Sequence, residues 1–192
     1  MADRRLEHFN KAVELRKEST EAFWEYWHEF AIYTSLEFWI MVSILVVPLI
    51  ILCFKIDKSK IFLIGFFGYS IHVIFAYTDS YGIGEGLWNY PFQVIPALPS
   101  LSLDSSLVPV AFMLLYQWCL HHKKNYYMYA VILSAVFSFA FKPIIVAMGM
   151  FVMYEKINYL HLFIAYVGVA FLAKILTNVF LWMEKKFKKP AS

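Results

Sequence analysis

Cysteine is nearly absent from this chain. There are two in 192 residues, Cys53 and Cys119, with neither CxxC nor CxxH spacing. That argues against a disulfide-built scaffold and a cysteine-ligated metal site. Glycine and proline are also sparse, seven of each, which rules out collagen-like and low-complexity classes. Charge is thin as well, with Asp, Glu, Lys and Arg at 16% against about 25% in soluble domains. The formal charge of +3 comes from Lys clusters between apolar runs, and no basic face with interleaved recognition residues appears. Nucleic acid is therefore not an expected partner. The GxSxG and HExxH signatures are missing, and so is any axial-ligand motif, so no catalytic residue, metal or cofactor is expected. The first apolar run begins some thirty residues in and no small-residue cleavage site follows it, so it reads as a retained span rather than a cleaved signal.

What the chain does have is apolar mass: 61% of its residues are hydrophobic and 20% aromatic. A soluble domain has about 45–50% apolar residues, so the lipid bilayer is the expected solvent and first partner. About twenty apolar residues cross its hydrocarbon core. The reading is an all-α polytopic membrane protein with spans over 33–54, 61–78, 105–120, 126–154 and 157–183. Residues 1–30 form an N-terminal amphipathic helix, with Leu6, Phe9, Val13, Phe23, Trp27 and Phe30 at helical spacing. It lies on the membrane surface or leads into the first span; a solvated helix used in oligomer contacts fits the same pattern. Pro48 should kink span 1 and Pro143 should bend span 4, with Gly149 helping to end it. Gly65, Gly68 and Ser70 make a small-residue strip on span 2 suited to close packing.

Lys55, Lys58 and Lys60, then His121 to Lys124, then the basic tail 185–192 mark the cytoplasmic side. Five spans with an inner C-terminus put the N-terminus outside.

Between spans 2 and 3 lies the stretch Asp79 to Val110. It has no Lys or Arg, three acids, three glycines and four prolines. Pro91, Pro96 and Pro99 remove backbone donors and exclude a regular helix through 91–99, yet Phe92, Val94, Ile95, Leu98, Leu101 and Leu103 are apolar. A re-entrant or interfacial hairpin over 79–104 is expected, because irregular backbone at membrane depth must be covered by protein or line a cavity. Gly82, Gly84 and Gly86 only superficially suggest a phosphate loop, with no following helix and Lys.

Residues Gly86-Leu87-Trp88-Asn89-Tyr90-Pro91, Ile95-Pro96, Asp104, Val108-Pro109-Val110 and Leu114-Leu115-Tyr116-Gln117 carry a resemblance. Over about residues 30–184 the chain is similar to uncharacterised multi-pass membrane proteins of Bacillus and Clostridium spore-formers. The resemblance implies a bacterial plasma membrane and importance for the central stretch. It implies no activity.

The candidate functional residues are charges that the topology gathers toward the outer half: Glu37, Asp79, Glu85, Asp104 and Lys142, with His72 about 10 Å deeper than Asp79 at 1.5 Å per residue. A charge in the bilayer costs at least about 2.5–3.5 kcal/mol, so these groups should pair or line water. One reading is that Lys142 pairs with Glu37, Asp79 or Asp104 to tie helices together. The other is an acidic vestibule for cations or protons, with His72 as a proton relay or simply bonded to a neighbouring helix. Trp88, Tyr90, Pro91, Pro96 and Pro109 are expected to shape the loop. The leading functional expectation is a small channel or ion/proton-permeable assembly, a homo-oligomer with its pore between protomers. The alternatives are a non-catalytic scaffold or complex subunit with a membrane protein partner, and an intramembrane enzyme acting on lipid through His72 or Ser105.

Overall fold

The computed structural model describes residues 2–154 and 156–187; Glu155 of the expected outer connector, and Lys188 and Lys189 of the basic tail, lie outside them. Helix α1 (Ala2–Glu29) is followed by α2 (Leu36–Lys55) and α3 (Ile61–Gly84). After a 16-residue excursion come α4 (Val108–His121), α5 (Tyr126–Val136), α6 (Lys142–Ala147) and α7 (Tyr159–Phe187). Two π-helical turns, Leu103–Leu107 and Phe137–Phe141, run directly into α4 and α6. Taken with these turns, five helices are long and apolar enough to cross a membrane: 36–55, 58–84, 103–121, 126–147 and 159–187.

Two of the helix starts have a side-chain cap. Ser35 caps α2, its Oγ accepting from Phe38 N at 3.2 Å. The Asn125 side chain caps α5, accepting from Tyr127 N at 2.9 Å. Such caps satisfy backbone donors that the first turn leaves free. Pro48 lies inside α2, which continues through it. Gly149, at φ 71°, follows the end of α6 in the left-handed conformation that glycine tolerates best.

Several span limits differ from expectation, the first span beginning at Leu36 rather than 33 and the fifth running to Phe187 rather than 183. α3 runs a turn and a half past Asp79, and helical structure resumes by Leu101, so Asp79 and Asp104 both sit in helix rather than in a loop. The polar and glycine-rich end of α3 reads as loop by composition, but Gly82 is buried against Trp88, where a Cβ would overlap the indole. The fourth span stops at Ala147, because 148–154 turn away into a short strand. The fifth begins at Tyr159. Of the small-residue strip, Gly68 is a packing site, where a Cβ would overlap Met113, whereas Gly65 meets nothing.

The excursion 85–100 contains no helix and is pinned by a two-residue antiparallel ladder, β1 (Trp88–Asn89) on β2 (Val152–Met153), with Tyr154 N donating to Leu87 O at 3.0 Å. At the opposite end of the bundle, Asp57 clasps the α2–α3 connector to α4. It accepts from the Ser59 amide (2.9 Å) and hydroxyl (2.6 Å) and pairs with His121 Nε2 at 2.8 Å. These partners, the Ser59 hydroxyl first, lower the carboxyl to about 2. A lowered carboxyl stabilises the fold above its ordinary value of 3.8 and loses that contribution as pH falls through about 2.

Lipid tails are as apolar as leucine, so helix association in a bilayer rests on packing and polar contacts rather than on hydrophobic transfer. Both are present. Phe67, Tyr116 and Tyr126 close the half of the bundle near the Asp57 clasp, with ring centroids 4.6–5.6 Å apart. Phe137 stacks on Tyr166 at 5.4 Å toward the excursion. The polar contacts gather at that second end.

Candidate functional site

An extended segment alternates its side chains, so Trp88 and Tyr90, two apart, share a face. Both reach the Asp79 carboxylate on α3. Trp88 Nε1 donates to Oδ1 at 3.1 Å, and Tyr90 OH donates to Oδ2 at 2.6 Å. Gly82, one helical turn on, gives the indole its place. Gly82→Ala is expected to push Trp88 off Asp79 and cost about 1–3 kcal/mol, as overpacking does. A denaturant midpoint and Trp fluorescence in detergent would check it.

Tyr90 OH in turn accepts from Lys142 Nζ at 3.3 Å. Among the described residues no ion pair joins Lys142 to Glu37, Asp79 or Asp104 directly. The ammonium reaches Asp79 through the phenol and sits 3.4 Å from the centre of the Phe151 ring, a cation–π contact strengthened by desolvation. Asp104 completes the set. Its Oδ2 accepts from Ser100 Oγ at 2.5 Å, and its Oδ1 has no hydrogen-bond partner among the described residues. Two carboxyl groups and one ammonium are thus buried at one end of the bundle, where charges are tolerated only when paired or neutralised. Asp79, Asp104, Lys142 and Tyr90 are each at most 4% exposed.

The π turns explain how two of these residues arrive there. Each precedes a proline in the second position of the next helix, Pro109 and Pro143. Proline lacks the N–H and crowds the preceding turn, and a wider turn absorbs this strain. In π register the Asp104 carbonyl belongs to residue 109, which has no N–H. His72 Nδ1 supplies the hydrogen bond instead, at 2.8 Å. A carbonyl only accepts, so Nδ1 carries the proton.

Asp104 also lines a groove of about 830 Å³ between α1, α3 and the segment 96–101. Arg16, Ser19, Thr20 and Phe23 form its α1 wall, and His72 lies on its α3 wall. A second groove of about 440 Å³ lies against Tyr90 and Gln93. Helix α1 lines both grooves and is tied down by Trp27 Nε1, which donates to Gln93 O at 3.1 Å. Its Leu6, Phe9 and Val13 stay exposed.

Of the expected site residues, His72, Asp79, Asp104 and Lys142 come together. Glu37 is half-buried in the first turn of α2 and Glu85 is exposed at the end of α3; neither joins the cluster. Trp88 and Tyr90 are its ligands as much as loop shapers. Pro96 is buried and also lines the larger groove, Pro91 flanks the smaller one, and Pro109 sets the π turn. Sequence reasoning did not find Ser100, nor the buried hydroxyls of Ser102, Ser138 and Tyr166, which, like that of Ser106, have no hydrogen-bond partner among the described residues. Single hydroxyls in apolar runs carry no periodic signal.

No family model, curated protein or solved structure matches this chain.

Proposed function

We propose that this is an ion- or proton-handling protein of the bacterial plasma membrane whose working element is an acidic outer vestibule. One observation carries the reading. The larger groove reaches the buried acid Asp104, and at the same end of the bundle a second buried acid, Asp79, is hydrogen-bonded through Tyr90 to Lys142. Buried acids so placed can take up a proton that arrives through the groove. The Lys-rich connectors orient the groove end outward, with the N-terminus outside and the C-terminus in the cytoplasm.

The aromatic packing of Phe67, Tyr116 and Tyr126 fills the other half of the single chain. Permeation therefore belongs between protomers of a homo-oligomer, for which the exposed apolar face of α2 (Val46, Ile50, Phe54) is available. Proton and monovalent-cation flux into liposomes tests this. Wild type is expected to exceed empty vesicles and Asp104→Asn to lower the flux several-fold while staying folded. Absence of flux under both a potential and a pH gradient, with folded protein, sinks it.

The scaffold reading also has its own observation: both oxygens of Asp79 are already taken by Trp88 and Tyr90, as in a cluster that only ties helices together. It expects Asp104→Asn to weaken assembly with a membrane protein partner and leave no flux to change.

A further inference from the structure

The larger groove has two chemically distinct ends. On the α1 wall stand a guanidinium and two hydroxyls, Arg16, Ser19 and Thr20, with the apolar Phe23 beside them. On the floor stand acceptors. Asp104 is 3% exposed and its Oδ1 takes no hydrogen bond. His72 has its Nδ1 proton committed to the Asp104 carbonyl, which leaves Nε2 as the acceptor of a neutral ring. The groove's volume, about 830 Å³, is within the 300–1,000 Å³ typical of small-molecule sites. Its α3 wall, His72, Ala76, Ser80 and Ile83, is on a helix apolar enough to cross a membrane, so the groove borders the lipid. A ligand matching both ends carries an anion for Arg16 and a hydrogen-bonding cation for Asp104. A primary ammonium meets that requirement, since it donates three hydrogen bonds and carries the charge.

We propose that the groove binds an aminoalkyl phosphate, its phosphate at Arg16 and Ser19 and its primary ammonium at Asp104 and His72 Nε2. The chemistry has two sources, the headgroup of a phosphatidylethanolamine or free phosphoethanolamine. The inference goes beyond ion handling, since it concerns binding and stands or falls without flux.

The test is native mass spectrometry of the full chain in detergent with equimolar phosphatidylethanolamine and phosphatidylglycerol. Wild type is expected to retain the ethanolamine lipid about tenfold better, equivalent to 1.4 kcal/mol. Asp104→Asn should bring that ratio to near one. Arg16→Gln, on the exposed face of α1, should lower retention of both lipids and leave their ratio in place, because both carry phosphate. If free phosphoethanolamine displaces the lipid, the ligand is the soluble compound; if it does not, the ligand is the lipid, and either result supports the site. Equal retention of the two lipids by wild type overturns the proposal. So does retention that Arg16→Gln leaves unchanged, which decides the matter even if Asp104→Asn fails to fold.

Discussion

Replacing Asp79 with alanine is expected to destabilise the protein by about 3–5 kcal/mol, the cost of breaking a buried charge network from one side. The substitution strips the acceptor from Trp88 Nε1 and from Tyr90 OH together, and each buried donor left alone costs about 1–3 kcal/mol. It also leaves Lys142 without the carboxylate that its phenol bridge leads to. Because Trp88 and Tyr90 anchor the 85–100 excursion and, through β1, the β2 strand, the loss should be cooperative. An SDS or urea titration in detergent, followed by near-UV circular dichroism, would show a lower midpoint and weakened aromatic signals. A midpoint within about 0.5 kcal/mol of wild type, the range of inert surface changes, would mean that the excursion is held by its backbone ladder alone.

The second large effect concerns Lys142. Lys142→Met keeps much of the side chain's length and removes the ammonium that balances the carboxyl pair. Alone it is expected to cost about 3–5 kcal/mol. Combined with Asp79→Asn, which removes the matching negative charge and keeps an acceptor oxygen for Trp88 or Tyr90, the cost should fall well short of the sum. Residues sharing one network show coupling of about 0.5–3 kcal/mol, and that coupling is the quantity a double-mutant cycle reads. Strict additivity would show that Lys142 is held by the Phe151 ring and owes nothing to the carboxylates.

Much of the fold can be read from the sequence because its largest feature is simple: apolar runs of about twenty residues separated by lysines. Their limits are read less well where polar residues belong to helices. Asp79 looks like the end of a span because Ser80, Gly82 and Gly84 follow it, yet those residues continue α3. What composition cannot reveal is that the Trp88 indole needs a position without a Cβ at 82. The charge cluster is legible as a set of residues that must meet, since isolated charges in lipid are costly. The way they meet is not. On one of the two readings Lys142 touches a carboxylate; it touches a phenol instead, because Tyr90 reads equally well as a residue that only shapes the loop. Pro143 signals a bent helix and Pro109 a shaped loop, but both prolines follow π turns, and that choice depends on which carbonyls find other donors.

The gap at Pro109 gives His72 a polarity. A ring whose Nδ1 proton is held by an amide carbonyl cannot pass that proton onward, since the carbonyl is far too weak a base to keep it. Protons can join or leave the ring only at Nε2, on a residue that lines the larger groove. A continuous relay through His72 would need the ring to turn over, and each turn would strip the Asp104 carbonyl of the donor it depends on. The histidine therefore behaves as a one-sided terminal rather than a stepping stone. The proline that breaks the helix 37 positions later along the chain thereby determines which face of the ring can take part in proton exchange.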